Sequence, residues 1–184
     1  ALERFRGIRH RWSDDADIAF LFWIAGEMIR GYGSTGAFVR SLDCPGEETI
    51  EGVISRFASW IRGRRSGAFR RNVPPMRLSS LVPSPEDGSA CKRPAMYFRW
   101  MCRGPDGVDF GLWNFISPSR LVIPVDTHIA RMAWLLGLTS RKNANWKMAL
   151  EITSALRTLD PEDPARYDFA LVRPGIMGDC PPKS

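Results

Sequence analysis

Ile123-Pro-Val-Asp-Thr-His-Ile-Ala-Arg-Met-Ala-Trp-Leu-Leu-Gly-Leu138 begins as an extended apolar segment, stops at one acidic residue and continues as a helix. Pro124 disfavours helix at Ile123. Asp126 is a good N-cap, worth about 1 kcal/mol, and Gly137 supplies the stop. A helix over Asp126 to Leu136 is therefore predicted, with an extended approach from Pro118 to Val125. The simplest role of Asp126 is the cap, with His128 a solvent-facing or packed imidazole and Arg131 a surface partner. That role does not exclude another, because a carboxylate fixed at a helix N-terminus is also a well-positioned anion.

Helical spacing continues on both sides of this segment. Asp15 to Tyr32 is apolar nearly all round (Ile18, Phe20, Leu21, Phe22, Trp23, Ile24, Met28, Ile29) and reads as a buried central helix. Ser13 or Asp14 can cap it, and Gly31 and Gly33 stop it. Ser34 to Leu42 is a short second helix. Glu47 to Arg62 carries Ile50, Val53, Ile54, Phe57 and Ile61 at helical spacing, acidic at its start and basic at its end. Ala144 to Leu159 is a further helix, with Trp146, Met148, Ala149, Ile152, Leu156 and Leu159 as its stripe. Pro164 to Leu171 is the last, which Pro174 is expected to end or kink. No run alternates as a strand does, so the fold class is all-α with short loops, in one unit over residues 1–184.

A second segment, Leu81-Val-Pro-Ser-Pro-Glu-Asp-Gly-Ser-Ala-Cys-Lys-Arg93, joins a short apolar stretch (Leu78 to Val82) to a helix over Cys91 to Arg103. Pro94 falls in the first turn, where its missing N–H costs little. A tight turn feeding a helix N-terminus exposes backbone N–H groups and can hold a phosphate. Glu86 and Asp87 oppose that unless they point away. Lys92 lies one residue inside the helix beside Arg93, a setting suited to a nucleophilic amine, although a surface lysine is the plainer reading. Between the helices, Arg62 to Pro75 is a basic connector (Arg62, Arg64, Arg65, Arg70, Arg71), either a solvated loop or a phosphate-facing one.

The 184 residues carry 26 Lys plus Arg against 20 Asp plus Glu, a formal charge of +6. Only Lys92, Lys142, Lys147 and Lys183 are lysines, and the remaining cations are Arg. Arg pairs bidentately with phosphate and stacks on bases, so the balance leans toward nucleic acid, with a GC-rich genome as the alternative cause. At 44% apolar and 25% charged the chain is too hydrophobic for a disordered tail. Cys44, Cys91, Cys102 and Cys180 show no metal-ligand spacing, so neither a structural zinc nor a four-cysteine iron–sulfur cluster is expected. Scattered cysteines fit a reducing cytoplasm. The longest apolar run, Ile18 to Ala25, is far too short to span a bilayer. No signal peptide is legible, and the start at Ala1 leads us to expect a processed or fragmentary chain.

Pro124-Val-Asp-Thr-His-Ile129 with Arg131 and Leu136-Gly-Leu138 resembles the motif that follows the helix-hairpin-helix in the endonuclease III superfamily of DNA glycosylases. Gly88-Ser-Ala-Cys-Lys92 resembles that family's hairpin, whose usual form is Gly-x-Gly-x-Lys. The match is closer to the DUF2400 proteins. It is carried by Gly88-Ser-Ala-Cys-Lys-Arg93, Phe98-Arg-Trp-Met101, Asp109-Phe-Gly-Leu-Trp113, Pro118-Ser-Arg-Leu-Val-Ile-Pro-Val-Asp126, Trp146-Lys-Met-Ala-Leu-Glu-Ile-Thr153 and Asp160-Pro-Glu-Asp-Pro164. It extends from about Arg9 to Cys180.

The resemblance implies a two-lobed helix-hairpin-helix glycosylase-like fold. The hairpin would lie at about 78–103 and the aspartate loop and helix at about 118–138. Asp126 takes the place of the essential aspartate and Lys92 that of the Schiff-base lysine. Gly88, Ser89, Ala90, Arg93, His128 and Arg131 take DNA-contacting positions. The sequence departs from the family at Ala90, where the second hairpin Gly is expected, and in lacking the iron–sulfur cysteines. Related proteins usually have further residues before the part matching Ile8 to Trp12, so one lobe is expected to be incomplete.

The implied activity is excision of a damaged base, with an oxidised base the favoured guess, followed by AP-lyase cleavage. The expected partner is double-stranded DNA holding a damaged base or an abasic site, and the protein is expected to act as a cytoplasmic, nucleoid-associated monomer without cofactor. Trp113 or Tyr97 is a candidate for stacking on the base, and the core is the alternative place for both. Two alternatives stay open: a monofunctional glycosylase that uses water, and a non-catalytic helix-hairpin-helix module that binds damaged DNA.

Overall fold

The computed structural model describes residues 2–10, 13–64 and 79–177. Among them all regular structure is helical, apart from a single bridge between His10 and Ser13. Seven α-helices are described: α1 (Asp15–Tyr32), α2 (Thr35–Leu42), α3 (Glu51–Gly63), α4 (Lys92–Cys102), α5 (Thr127–Leu135), α6 (Trp146–Arg157) and α7 (Asp168–Met177). Short 3₁₀ turns at Pro85–Asp87, Pro118–Arg120 and Pro164–Tyr167 lead toward α4, α5 and α7 respectively. The all-α expectation therefore stands. Arg65, Arg70, Arg71 and Cys180 lie outside the described residues.

Local chemistry sets most of the helix starts. Asp14 caps α1 in a capping box, accepting from the Asp17 N–H at 3.1 Å while Asp17 accepts from the Asp14 N–H at 3.0 Å. Ser34 caps α2 and Asn145 caps α6 through the Ala37 and Met148 N–H groups. These caps fix chain entry at the residues where apolar periodicity begins, and the helices then bury one stripe each in a common core around Phe20, Phe38, Ile54, Phe98, Ile123 and Ile152.

Three sequence expectations need correction. Helix α1 is not buried all round. Phe20, Ile24 and Met28 are in the core, but Leu21, Ile29 and Phe22 (66% exposed) are not. Its neighbours, α2 and the turn Leu2–Phe5, cover only part of its circumference. Helix α3 starts at Glu51 rather than Glu47. The Glu47 carboxylate takes a two-point hydrogen bond from Arg56 (2.8 and 2.7 Å), and the Ile50 N–H is donated to the Arg120 carbonyl at 3.0 Å, so residues 47–50 are held outside the helical path. Pro174 does not end the last helix but lies inside α7. The proline removes the donor for the Ala170 carbonyl, and Ala170 is exposed, so water can take its place.

The expected approach to Asp126 is partly helical at first, through Pro118–Arg120, and then extended. Leu121, Val122, Ile123 and Val125 run through the core. An extended chain there must satisfy its own donors. The Ile123 N–H does so on Thr153 Oγ1 (3.1 Å), whose hydroxyl donates to the Ala149 carbonyl (2.6 Å). Arg120, almost fully buried, donates to both oxygens of Asp43 and to the Cys44 carbonyl, fastening this approach to the end of α2. Asp126 is thereby delivered to a fixed place.

Candidate functional site

Two of the residues that the sequence singles out, Lys92 and Asp126, meet between the starts of α4 and α5. Lys92 opens α4 and Asp126 caps α5. Lys92 Nζ donates to Asp126 Oδ2 at 2.6 Å, across a sequence separation of 34. Asp126 Oδ1 accepts from the His128 and Ile129 N–H groups, both at 2.9 Å. One carboxylate oxygen therefore serves the cap and the other the lysine, so the two roles of Asp126 coexist. The Asp126 side chain is 18% exposed and that of Lys92 42%, which leaves the amine reachable from solvent. Burial pushes the Asp126 carboxyl up, but the Lys92 hydrogen bond and charge and the two backbone donors outweigh it, so it lies below the usual carboxylate range.

The turn before Lys92 is built by its own residues. Gly88 sits in the left-handed region (φ +70°), where only glycine is unstrained. Ser89 Oγ accepts the Cys91 N–H at 3.2 Å. The second left-handed residue is Cys91 (φ +49°), so Ala90 does not carry the positive φ and needs no glycine. A buried, non-glycine residue in that conformation costs about 1 kcal/mol, and it turns the chain so that Lys92 enters α4 without a side-chain cap. Burial pushes the Cys91 thiol up to about 12, so it is no nucleophile.

Arg62 is not a loop cation. It ends α3 and donates to the Val82 carbonyl (3.1 and 2.7 Å) and to Asp87 (3.0 Å for the Nη1 bond). Asp87 is thus turned onto Arg62, whose hydrogen bond leads in holding its carboxyl below the usual range against burial. That removes one of the two charges expected to oppose a phosphate, while Glu86 remains exposed. Arg64 lies over the Trp60 ring at 4.3 Å. Arg93 is exposed and donates to the Ser80 carbonyl (2.7 Å), so its guanidinium is directed back to the segment that precedes the turn. His128 is exposed and Arg131 half-buried on the first turns of α5.

The aromatic candidates lie elsewhere. Trp113 is 3% exposed and packs edge-on against Tyr97 (5.2 Å) and Phe98 (5.6 Å), so its ring is a core ring. Tyr97 is half-buried in the same cluster. Two surface hollows, of about 520 Å³ beside Glu47, Glu51 and Arg157 and about 630 Å³ beside Thr35, Arg40 and Phe115, are lined by residues other than Lys92 and Asp126.

Sequence reasoning missed the groups beneath the pair. Lys92, Arg99 and Arg103 recur at i, i+7 and i+11, which at 100° per residue is one face of α4. Each meets carboxylates from later segments. Arg99 donates to Asp168 at 2.6 Å and lies 3.3 Å from Asp109. Arg103 pairs with Asp163 (2.8 Å), Asp106 (3.1 Å) and Asp109. The spacing of the three cations is legible in the sequence, but their partners are not. No group of His, Cys, Asp and Glu among the described residues is arranged to hold a metal ion.

With this geometry in place, comparison with known proteins adds one finding. The family described as "Protein of unknown function (DUF2400)" matches residues 1–177. The chain belongs to the DUF2400 family. Neither the curated proteins nor the solved structures contain a match to it. In this DUF2400 protein no helix among the described residues is long and apolar enough to cross a membrane.

Proposed function

We propose that this DUF2400 protein is a helix-hairpin-helix DNA glycosylase with AP-lyase activity. The observation that carries the reading is the 2.6 Å contact between Lys92 Nζ and Asp126 Oδ2, each at the N-terminus of a helix and each at the family-like motif position. A partly exposed amine against a fixed carboxylate is the arrangement that attack on a sugar carbon requires.

In this mechanism the turn Gly88 to Lys92, with Arg93, His128 and Arg131, holds backbone phosphates without reading sequence. The target nucleotide leaves the stack at a cost of a few kcal/mol, less for a damaged pair. Lys92, having lost its proton, attacks C1′. The N-glycosidic bond breaks, its electron pair leaves with the base, and the base takes up a proton. Asp126 stabilises the positive charge that grows on the sugar. Ring opening gives the Schiff base, loss of a C2′ proton expels the 3′-phosphate, and water releases Lys92. Oxidised bases are the favoured substrates, acted on in double-stranded DNA by a monomer.

The test is borohydride trapping on duplex DNA with one abasic site, which bypasses the identity of the lesion. A covalent adduct in the wild type that is absent from Lys92→Ala is expected. An adduct retained in Lys92→Ala overturns the assignment of Lys92. No adduct in either protein overturns the lyase and leaves a water-using glycosylase or a DNA-binding module.

A further inference from the structure

Gly36 and Arg40 are four residues apart in α2 and share one face of that helix. This face forms a wall of the hollow of about 630 Å³, opposite Trp113 and Phe115. A Cβ on Gly36 would lie 2.8 Å from Trp113 Nε1 and 3.1 Å from its Cδ1, so the glycine leaves the N–H edge of a core indole open to the hollow. Trp113 is 3% exposed, and among the described residues its N–H meets no acceptor. A buried indole N–H normally finds a partner, so this donor points to something that enters the hollow.

Further donors share the same wall. Ser34 takes the Ala37 N–H on its hydroxyl (3.0 Å) and the Phe38 N–H on its carbonyl (3.1 Å). The Thr35 and Gly36 N–H groups, the first two of α2, have no partner inside the helix and lie at the positive end of its dipole. The exposed Arg40 guanidinium lies 4.6 Å from the Phe115 centroid and, among the described residues, pairs with no carboxylate. Met101 and Leu112, the latter 68% exposed, make the rest of the wall apolar. No described carboxylate lines this hollow, whereas Glu47, Glu48 and Glu51 line the other one. A wall rich in donors and free of acid suits an anion.

We propose that this hollow is a binding site for a mononucleotide. The start of α2, Arg40 and Trp113 Nε1 hold the phosphate, and the base lies on the Met101 and Leu112 wall against the stack of Arg40 on Phe115. A phosphate monoester brings three strong acceptor oxygens, enough for two backbone N–H groups, a guanidinium fork and an indole N–H, where a carboxylate brings two. The hollow is far larger than a phosphate, and its remaining wall is apolar and aromatic, as a planar ring requires. The site is separate from the Lys92 and Asp126 pair. Lys92 and Met101 are nine residues apart on α4, which at about 100° per residue places them on opposite faces. The inference therefore does not rest on the glycosylase reading.

The experiment is titration calorimetry of the full chain with adenosine 5′-monophosphate, adenosine and inorganic phosphate. It is repeated for Arg40→Gln, Leu112→Glu, Gly36→Ala and Lys92→Ala, with thermal melting of each protein. The monophosphate should bind, with adenosine and phosphate each weaker by about tenfold or more. Arg40→Gln removes a charge-assisted bond and should weaken the monophosphate by about tenfold or more. Leu112→Glu brings a carboxylate to the wall and should weaken it in the same direction, as should Gly36→Ala, whose methyl group covers the indole N–H. Lys92→Ala should bind as the wild type does. No binding of the monophosphate at millimolar concentration overturns the inference. So does wild-type affinity in folded Arg40→Gln and Leu112→Glu, and these two exposed positions decide if Gly36→Ala does not fold. Inorganic phosphate bound as tightly as the monophosphate overturns the nucleotide and leaves a site for a bare anion. Loss of binding in Lys92→Ala places the nucleotide at the other site and overturns the inference as well.

Discussion

Replacing Asp126 separates its two oxygens, because the cap and the chemistry use different atoms. Asparagine keeps a side-chain oxygen for the His128 and Ile129 N–H groups and caps about as well as aspartate. It loses the charge facing Lys92. That pair is partly exposed, so its loss costs only about 0–1 kcal/mol of stability. Alanine loses the cap as well, about 1 kcal/mol more, which for a domain of this size lowers the melting temperature by roughly 2–4 °C. The chemistry should not distinguish them. Both lose an electrostatic stabiliser of the transition state, worth about 10²–10³ in rate.

The assay is therefore double: single-turnover trapping on abasic duplex DNA and thermal melting, for both variants beside the wild type. Equal, large losses of trapping with unequal losses of stability are expected. Wild-type trapping in Asp126→Asn refutes the assignment, and equal melting temperatures for the two variants refute the cap. The pH dependence of stability gives a second check. The Asp126 carboxyl is lowered on folding, so its stabilising contribution is present above the ordinary aspartate value of about 3.9 and is lost as pH falls through its lower folded value. Asp126→Asn should lack that acid loss.

Arg99→Met leaves Asp168 buried without its hydrogen-bond donor and Asp109 with Arg103 alone, and should destabilise the fold by about 3–5 kcal/mol, read from urea midpoints; a loss below about 1 kcal/mol would show that these charges do not form a buried network. Arg62→Ala removes both donors from the Val82 carbonyl and frees Asp87, so binding to an abasic duplex should weaken while Lys92-dependent trapping persists at saturating DNA, and unchanged binding would show that Arg62 does not support the turn before Lys92. Gly36→Ala places a Cβ 2.8 Å from Trp113 Nε1, in the core, and should cost about 1–3 kcal/mol with a shifted tryptophan emission, whereas a wild-type spectrum would contradict the packing. Cys91 and Cys102 are buried, and burial pushes both thiols up to about 12, so in the native protein iodoacetamide should label the exposed Cys44 and reach these two only after unfolding; native labelling of Cys91 would contradict the turn geometry.

The features legible in the sequence are local. Helices form where apolar residues recur every three or four positions, and Asp14, Ser34, Asp126 and Asn145 start them because a side-chain oxygen reaches an N–H only two or three residues away. The left-handed turn at Gly88 and the extended run into Asp126 belong to the same short range. Everything that depends on distances between segments follows from packing. Packing set which face of α1 is covered, that Glu47 leaves α3 for Arg56, and that Arg62 folds onto Val82. It also decided that Pro174 is tolerated, because the carbonyl it orphans belongs to an exposed residue. The candidate site spans both ranges. Lys92 and Asp126 were legible as residues because each sits at a helix start with its own turn chemistry. Their contact was not legible, and neither was the hydrogen bond from Arg99 to Asp168, 69 residues away. A hydrogen bond across such separations follows from how α4, α5 and α7 pack, and no local propensity encodes that.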